Sequence, residues 1–228
     1  MTHQRCIICH QPIHEILTID NLFKRVPFVC DDCKQTVLQR HDVRRCTYCQ
    51  KALAEDETDC LDCQFILKYF GFVNHVNMIC EYHEEMSKLL HQYKSNGDVL
   101  LAKAFAQIFQ SQLTRQYFKA FDMVIPMPTS NERLRTRGFN PVSTILDAMH
   151  VQYSEVLTTA YREKQMGLNK IDRMKQDNPF KCIGSLQDNA RILLVDDIYT
   201  TGLTASHASS VLLSNKHCEI TVLAFARA

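Results

Sequence analysis

The clearest indication of the fold is the segment Ile192-Leu-Leu-Val-Asp-Asp-Ile-Tyr-Thr-Thr-Gly-Leu-Thr204. Four apolar residues in a row are typical of a parallel strand that is covered on both faces. Two adjacent carboxylates, Asp196 and Asp197, follow, and a turn of small residues then opens a helix. Parallel α/β sheets hold their ligands at the carboxyl ends of the strands, so the sequence predicts a binding site at this junction.

The turn from Thr200 to Thr204 predicts an anion site. Backbone N–H groups, threonine hydroxyls and a helix N-terminus can surround an anion, and Gly202 permits a close approach with an unusual φ. The Gly-Lys-Ser/Thr of a nucleotide-triphosphate loop is not present. Carboxylates repel a phosphate, but Asp196 and Asp197 suit a ligand whose diol or Mg²⁺ lies beside its phosphate. A ribose 5-phosphate has this chemistry. The plain alternative is a strand, turn and helix in which the threonines satisfy only the turn.

Strand and helix patterns alternate through the second part of the chain. The residues Met86, Leu89, Leu90 and Tyr93 form an apolar stripe at helical spacing. We expect helices over 83–94, from 98 to about 117, over 140–150 and over 203–215, and strands within 71–82, 122–126, 192–195 and 219–225. This alternation predicts a parallel α/β sheet flanked by helices.

Eight of the eleven cysteines form four Cys-x-x-Cys pairs: Cys6/Cys9, Cys30/Cys33, Cys46/Cys49 and Cys60/Cys63. Two such pairs can turn four thiolates toward one tetrahedral zinc ion, so four pairs predict two structural zinc sites with no open position for catalysis. Disulfides are not expected in a chain without a secretion signal, and a thioredoxin-like motif would be a single pair.

The sequence leaves open which two Cys-x-x-Cys pairs share each zinc ion. Sequential sites close the shorter loops and cost less entropy, and a cross-braced arrangement is the alternative. The nearby His10, His14 and His41 are interpreted as surface residues. Because the cysteine pairs stop at about residue 64, we expect a small zinc-ribbon-like domain over 1–66 and an α/β domain over 67–228. No flexible linker separates them, which favours packing of one on the other.

The composition excludes several classes of protein. A chain with 46% hydrophobic and 22% charged residues and six glycines is neither collagen-like nor disordered. No apolar run approaches the roughly 18 residues of a membrane helix, and the first residues do not resemble a signal peptide, so we expect a cytoplasmic protein. The net charge of +1 gives no strong signal for nucleic acid, and residues 1–68 hold nine basic and ten acidic side chains.

The segment 192–204 resembles the phosphoribosyl-pyrophosphate (PRPP) motif of type I phosphoribosyltransferases. It has the four apolar residues, the two acidic residues and the Thr-Thr-Gly-x-Thr of that motif. With its cysteine-rich beginning, the whole chain resembles the ComF family. The other family-like markers are Tyr93-Lys94, Pro126-Met127-Pro128, Arg133, Arg137-Gly138-Phe139-Asn140, Gln165, Leu168 and Arg173.

The resemblance implies a phosphoribosyltransferase-like domain that binds PRPP with Mg²⁺. It implies catalytic roles for Asp196 and Asp197 beside the ribose. The 5-phosphate would lie on Thr200, Thr201, Gly202, Leu203 and Thr204, and the pyrophosphate near Met127, Pro128, Arg133 and Arg137. A flexible loop with Gln165 and Arg173 would close over the ligand. That loop departs from the family, because Arg-Glu-Lys precedes Gln165 where Thr-x-x is expected, and its ending is one residue shorter.

The ComF resemblance also implies a part in natural transformation, in which imported single-stranded DNA is handled with a ComFA-type helicase. One hypothesis is a transferase in which a nitrogen nucleophile attacks C1 of PRPP as pyrophosphate leaves. The alternative is a non-catalytic module that uses the same fold to bind single-stranded DNA or a protein partner. In that case base stacking would depend on residues such as Phe65, Tyr69 and Phe70.

Overall fold

The computed structural model describes residues 4–13, 27–57, 60–160, 177–215 and 217–228. The strands are β1 His75–Glu81, β2 Met123–Pro126, β3 Leu157–Thr159, β4 Phe180–Cys182, β5 Ala190–Tyr199 and β6 Cys218–Arg227. Four of them form one sheet in the order β1-β6-β5-β2, and β3 pairs with β4 in an antiparallel sheet. All pairings in the four-stranded sheet are parallel, which confirms the predicted α/β architecture.

The helices lie between and beside these strands. Their bounds are α1 Asp31–Val37, α2 Leu61–Phe70, α3 Glu84–Ser95, α4 Leu101–Phe109, α5 Arg115–Phe118, α6 Asn131–Arg137, α7 Pro141–Ala148 and α8 Leu203–Asn215. The apolar stripe predicted for α3 is buried along its whole length. The helix predicted over 203–215 has these bounds in the structure, as α8.

Strand β5 is longer than its apolar run. Ile192 to Val195 are fully buried, as predicted for a strand covered on both faces. The strand then continues through both carboxylates to Tyr199, because β6 pairs with it as far as Arg227. The carboxylates therefore lie within the last part of the strand rather than in the turn that follows.

The two faces of the sheet belong to two hydrophobic clusters. Alternating residues of the central strands divide between them: Leu193, Val195, Leu223 and Phe225 in one, and Ile192, Leu194, Val222 and Ala224 in the other. The first cluster includes buried residues of α3, α4 and α7, and the second includes those of α8. The first four paired cysteines pack against the first cluster and the last four belong to the second. The two cysteine regions therefore lie on opposite faces of the sheet.

The helix predicted from residue 98 to about 117 is wrong in both its bounds. Helix α4 begins after Leu100, and the Asp98 carboxylate accepts a hydrogen bond of 3.0 Å from Gln92 Nε2. Helix α4 ends at Phe109. The Thr114 side chain accepts from the Tyr117 amide and so begins the separate helix α5.

Helix α2 joins the cysteine-rich part of the chain to the α/β part. It runs from Leu61 to Phe70, across the predicted domain boundary at 66/67, and ends at Gly71, which has a φ of +75°. Among the residues that the structure describes, no helix is both long enough and apolar enough to cross a membrane.

Candidate functional site

Two acidic side chains and one lysine meet at the carboxyl edge of the sheet. Asp196 and Asp197 are partly buried at the end of β5, and the Asp196 carboxylate accepts a hydrogen bond of 2.9 Å from the Asp197 amide. The Lys94 ammonium lies 2.6 Å from the Asp197 carboxylate, and only 17% and 21% of these two side chains are exposed. A partly buried ion pair is screened by salt much less than a surface pair.

Lys94 reaches this position from the last turn of α3. Its carbonyl accepts a hydrogen bond of 2.9 Å from Arg137 Nε, and the neighbouring Tyr93 hydroxyl donates to the Pro141 carbonyl at 2.9 Å. In the sequence, Lys94 stands out only as part of a family marker, and a lysine at a helix end is favoured by the helix dipole without any ligand. The signal that could have found it is the Tyr93-Lys94 marker.

The two carboxylates have unlike environments. The pKa of Asp196 is raised to about 7, chiefly by burial and also by the charge of Asp197, while the Lys94 ammonium and the hydrogen bond from the Asp197 amide oppose the rise. At neutral pH the pair therefore holds fewer than two full negative charges on average.

The predicted phosphate residues form a tight turn and the first turn of α8. Gly202 has a φ of +83°, and a Cβ atom there would lie 2.3 Å from the buried Tyr199 hydroxyl. Thr200 and Thr204 are exposed, whereas the Leu203 side chain is buried and can offer only its backbone N–H to a ligand. The turn thus presents two hydroxyls and a helix N-terminus to solvent beside Asp197.

The Pro126-Met127-Pro128 turn is fixed to the adjacent strand. The Met127 amide donates to the Val195 carbonyl at 2.8 Å, directly before the paired carboxylates. The Met127 carbonyl accepts from Asn140 Nδ2 at 3.0 Å, while Asn140 Oδ1 caps α7. Because the Met127 N–H is already bonded and Pro128 has none, neither residue has a free backbone donor for a ligand.

Arg133 and Arg137, predicted to lie near the pyrophosphate, are both on helix α6. They are four residues apart on α6 and so share one face, whereas Arg135 does not. Arg133 is exposed and Arg137 is partly buried. Burial lowers the pKa of Arg137, and the Asp197 carboxylate opposes this shift. The predicted loop residues Gln165 and Arg173 lie outside the described residues.

The paired cysteines form two groups of four that could each hold a metal ion. The groups are Cys6, Cys9, Cys30 and Cys33, and Cys46, Cys49, Cys60 and Cys63, with the ligand atoms of each within 4.8 Å of one another. Neighbouring sulfurs lie 3.6 to 3.7 Å apart. A tetrahedral zinc ion with Zn–S bonds of about 2.3 Å requires about 3.8 Å, so the thiols fit zinc. The grouping is sequential, and neither His10 nor His41 belongs to it.

The two cysteine groups are built alike. In each, an arginine precedes the first cysteine and donates to the carbonyl of the residue after the second one. That residue has a φ near +60°, at His10 in one group and Gln50 in the other. The second pair of each group begins a helix, with Cys30 and Cys60 as the N-cap residues. The chain therefore contains two copies of one four-cysteine unit.

These features define a parallel α/β protein with two four-cysteine units and a carboxylate–threonine site at the sheet edge. No family model matches the chain. Competence protein ComFC of Streptococcus pneumoniae (strain ATCC BAA-255 / R6) is 31% identical over 211 residues, which cover 91% of this chain and 93% of that protein. The chain belongs to the ComF family.

Two further likenesses are more distant. DNA utilization protein YhgH of Escherichia coli O157:H7 is 24% identical over 224 residues, which cover 89% of this chain and 98% of that protein. A hypoxanthine phosphoribosyltransferase from Staphylococcus aureus matches in structure with a TM-score of 0.35 and 15% identity, over 55% of this chain and 62% of the enzyme.

Proposed function

We propose that the protein binds PRPP or a related ribose phosphate at the carboxyl edge of its sheet and takes part in DNA uptake during natural transformation. The observation that carries the proposal is the cluster of Asp196, Asp197 and Lys94 beside the N-terminus of α8. The carboxylates can bind a diol and a metal ion, whereas the ammonium group and the helix N-terminus can bind a phosphate. A ribose phosphate with Mg²⁺ combines these groups in one ligand.

The 5-phosphate binds to the turn from Thr200 to Thr204. The thirteen-residue helix α8 directs its dipole and free N–H groups toward this turn. The exposed hydroxyls of Thr200 and Thr204 donate to the phosphate oxygens, and the positive φ of Gly202 gives the backbone the tight turn that directs the N–H groups outward.

The ribose lies beside the carboxylates. Asp196 and Asp197 accept from its 2′- and 3′-hydroxyls and attract the Mg²⁺ that accompanies the pyrophosphate. Lys94 neutralises part of this charge, so that a ligand with several negative charges can come close. Since the Asp196 pKa is about 7, its ionised fraction and the attraction for Mg²⁺ increase as the pH rises through neutrality.

The pyrophosphate lies toward α6. Arg133 and Arg137 share one face of this helix, and arginine forks bind phosphate oxygens in pairs. The Pro126–Pro128 turn shapes this side of the site without donating N–H groups at Met127 and Pro128. In turnover, a nitrogen nucleophile would bond to C1 while the C1–O bond breaks and pyrophosphate leaves with its electron pair. The arginines would stabilise the leaving charge.

The cysteine units bind structural zinc and the protein acts in the cytoplasm. None of the eleven cysteines, which all lie within the described residues, forms a disulfide, which suits a reducing compartment. The part in DNA uptake rests on the names of the relatives, a competence protein and a DNA utilization protein. Single-stranded DNA and a ComFA-type helicase are the partners that this role suggests.

The test is calorimetric titration of PRPP with Mg²⁺ into the zinc-loaded protein. Binding should be lost in the double variant Asp196→Asn/Asp197→Asn. The matched control is Asp122→Asn, which removes a carboxylate paired with Arg191 at the other end of β5 and should bind normally. Absence of heat with the folded wild type at two temperatures, or equal binding by the double variant, would refute the proposal. Release of pyrophosphate with a nitrogen acceptor would establish turnover.

The second candidate is a DNA-binding component without turnover, and an open groove at the opposite end of the sheet favours it. Lys103, Arg115 and Lys119 line this groove together with Phe28 and Phe118. Cations beside aromatic rings suit single-stranded nucleic acid. DNA affinity should then fall steeply with salt, be indifferent to PRPP and decrease in Lys103→Gln/Lys119→Gln. The variant Lys88→Gln, on α3, is the control.

A further inference from the structure

Arg227 is a buried arginine at the carboxyl end of the central strand β6. Only 5% of it is exposed, and in the sheet it lies between Glu81 of β1 and Tyr199 of β5. Its guanidinium is separate from the acidic and basic side chains of the proposed ribose phosphate site. A buried arginine needs partners for its donors, and the partners of Arg227 lie in two different parts of the protein.

The first set of partners belongs to the second cysteine group. Arg227 Nε donates to the Cys49 carbonyl at 2.9 Å, and Nη2 donates to the Cys49 sulfur at 3.7 Å. An N–H group directed at a metal-binding sulfur, together with one that holds the same residue's backbone, orients the ligand and stabilises its negative charge. Such outer contacts commonly change metal affinity by about 10- to 100-fold.

The second partner is Tyr199, directly before the phosphate turn. Arg227 Nη1 donates to the Tyr199 carbonyl at 3.3 Å, and the guanidinium carbon lies 5.3 Å from the centre of the Tyr199 ring. The Tyr199 hydroxyl in turn fills the space beside Gly202, where a Cβ atom would be 2.3 Å away. The position of this tyrosine therefore restricts the path of residues 200–202.

We propose that Arg227 is a positioning residue that couples the second cysteine group to the phosphate turn. One guanidinium holds Cys49 on one side and Tyr199 on the other, so displacement of the metal-binding backbone moves the tyrosine against Gly202. Metal in the second group and a well-formed turn at 200–204 then stabilise each other. The first cysteine group lies on the opposite face of the sheet and has no part in this coupling.

Two readouts on the full-length, zinc-loaded protein test the coupling without any ligand. The first is the rate of cysteine alkylation by N-ethylmaleimide, measured by peptide mass separately for the Cys6–Cys33 and Cys46–Cys63 groups. The second is amide hydrogen exchange over residues 200–206. The variants are Arg227→Met, which removes the charge and the donors, and Arg227→Lys, which keeps the charge and loses the fork.

Two controls separate positioning from general stability. Arg191→Gln removes an exposed arginine of β5 whose partner is Asp122. Leu223→Ala opens a cavity in β6 on the face away from the second cysteine group, and so loosens the whole sheet.

In Arg227→Met we expect alkylation of the Cys46–Cys63 group about 10-fold faster, unchanged alkylation of the Cys6–Cys33 group and faster exchange over 200–206. Arg227→Lys should lie between this variant and the wild type. Arg191→Gln should resemble the wild type, and Leu223→Ala should affect both cysteine groups together. Equal effects of Arg227→Met on both groups, no effect on either, or unchanged exchange over 200–206 would overturn the proposal.

A third readout rests on the proposed function. PRPP with Mg²⁺ should bind about 5-fold or more weakly to Arg227→Met, and in the wild type it should slow alkylation of the Cys46–Cys63 group, because coupling between two sites is reciprocal. If the wild type does not bind PRPP, the proposed function fails, and the alkylation and exchange results still decide the coupling. If the wild type binds PRPP and Arg227→Met binds it with the same affinity, the result counts against the coupling and leaves the proposed function standing.

Discussion

Replacement of Gly202 by alanine tests whether Tyr199 restricts the turn at residues 200–202. Gly202 has a φ of +83°, and an alanine Cβ would lie 2.3 Å from the Tyr199 hydroxyl and 2.8 Å from its ring carbon Cζ. The left-handed backbone costs a residue with a side chain about 1 to 2 kcal/mol. Forcing a methyl group into a packed site costs about 1 to 3 kcal/mol more. We therefore expect Gly202→Ala to lower the free energy of unfolding by about 2 to 5 kcal/mol.

The matched control is Gly71→Ala. Gly71 has a similar φ of +75°, but no atom lies within 4 Å of its Cβ position. In this variant the free energy of unfolding should fall only by the backbone cost of about 1 to 2 kcal/mol. The difference between the two variants, measured by urea unfolding of the zinc-loaded protein, isolates the contact with Tyr199.

A double-mutant cycle with Tyr199→Phe identifies the contact. Removal of the hydroxyl leaves Cζ at 2.8 Å, which is still too close, so Tyr199→Phe should rescue Gly202→Ala only in part. If Gly202→Ala unfolds at the same urea concentration as Gly71→Ala, or if Tyr199→Phe gives no rescue, Tyr199 does not restrict the turn and the reasoning fails.

Three further predictions concern the charges and the cysteines. Lys94→Gln removes the partner of Asp197 and should weaken PRPP binding in calorimetry, whereas Lys88→Gln, from an exposed pair with Glu84, should not. Burial raises the pKa of Asp196 to about 7 from its ordinary value of about 3.9. Between about pH 3.9 and pH 7, the folded protein therefore keeps a proton on Asp196 that the unfolded chain has lost. The free energy of unfolding should therefore fall with rising pH by up to about 1.4 kcal/mol per unit, and urea unfolding of Asp196→Asn should lack this contribution; an unchanged profile would contradict it. Metal analysis should find two zinc ions per chain in the wild type and in Cys182→Ser and about one in Cys49→Ser, and an equal content in all three would exclude the second site.

Much of the fold could be predicted because its signals are local. The run Ile192–Val195 and the turn that follows predict a buried strand and a helix from residues that are neighbours in the chain, and α8 has the predicted bounds. The cysteine spacing predicts two sites because a Cys-x-x-Cys pair brings both sulfurs to one ion within a single turn. The prediction of one helix from 98 to about 117 was wrong because Thr114 can begin a new helix as readily as it can continue an existing one.

The site is only partly contained in such local patterns. Asp196, Asp197 and Thr200 to Thr204 are consecutive, so the sequence places them together. The ion pair between Lys94 and Asp197 joins helix α3 to strand β5, and no local sequence pattern predicts it. Arg133 and Arg137 share a face only because residues 131–137 are helical, whereas their spacing alone also suited a loop.

The strand β5, the turn after it, the two cysteine units and the family could all be predicted from the sequence. Each of these depends on residues close together in the chain, where backbone geometry leaves few choices. The face of the sheet against which each cysteine unit packs, and the contact of Arg227 with Cys49 and Tyr199, follow only from the folded arrangement of the chain. These residues are far apart in sequence. They meet because parallel strands end at a common edge and because a buried guanidinium must find acceptors wherever the packed elements provide them.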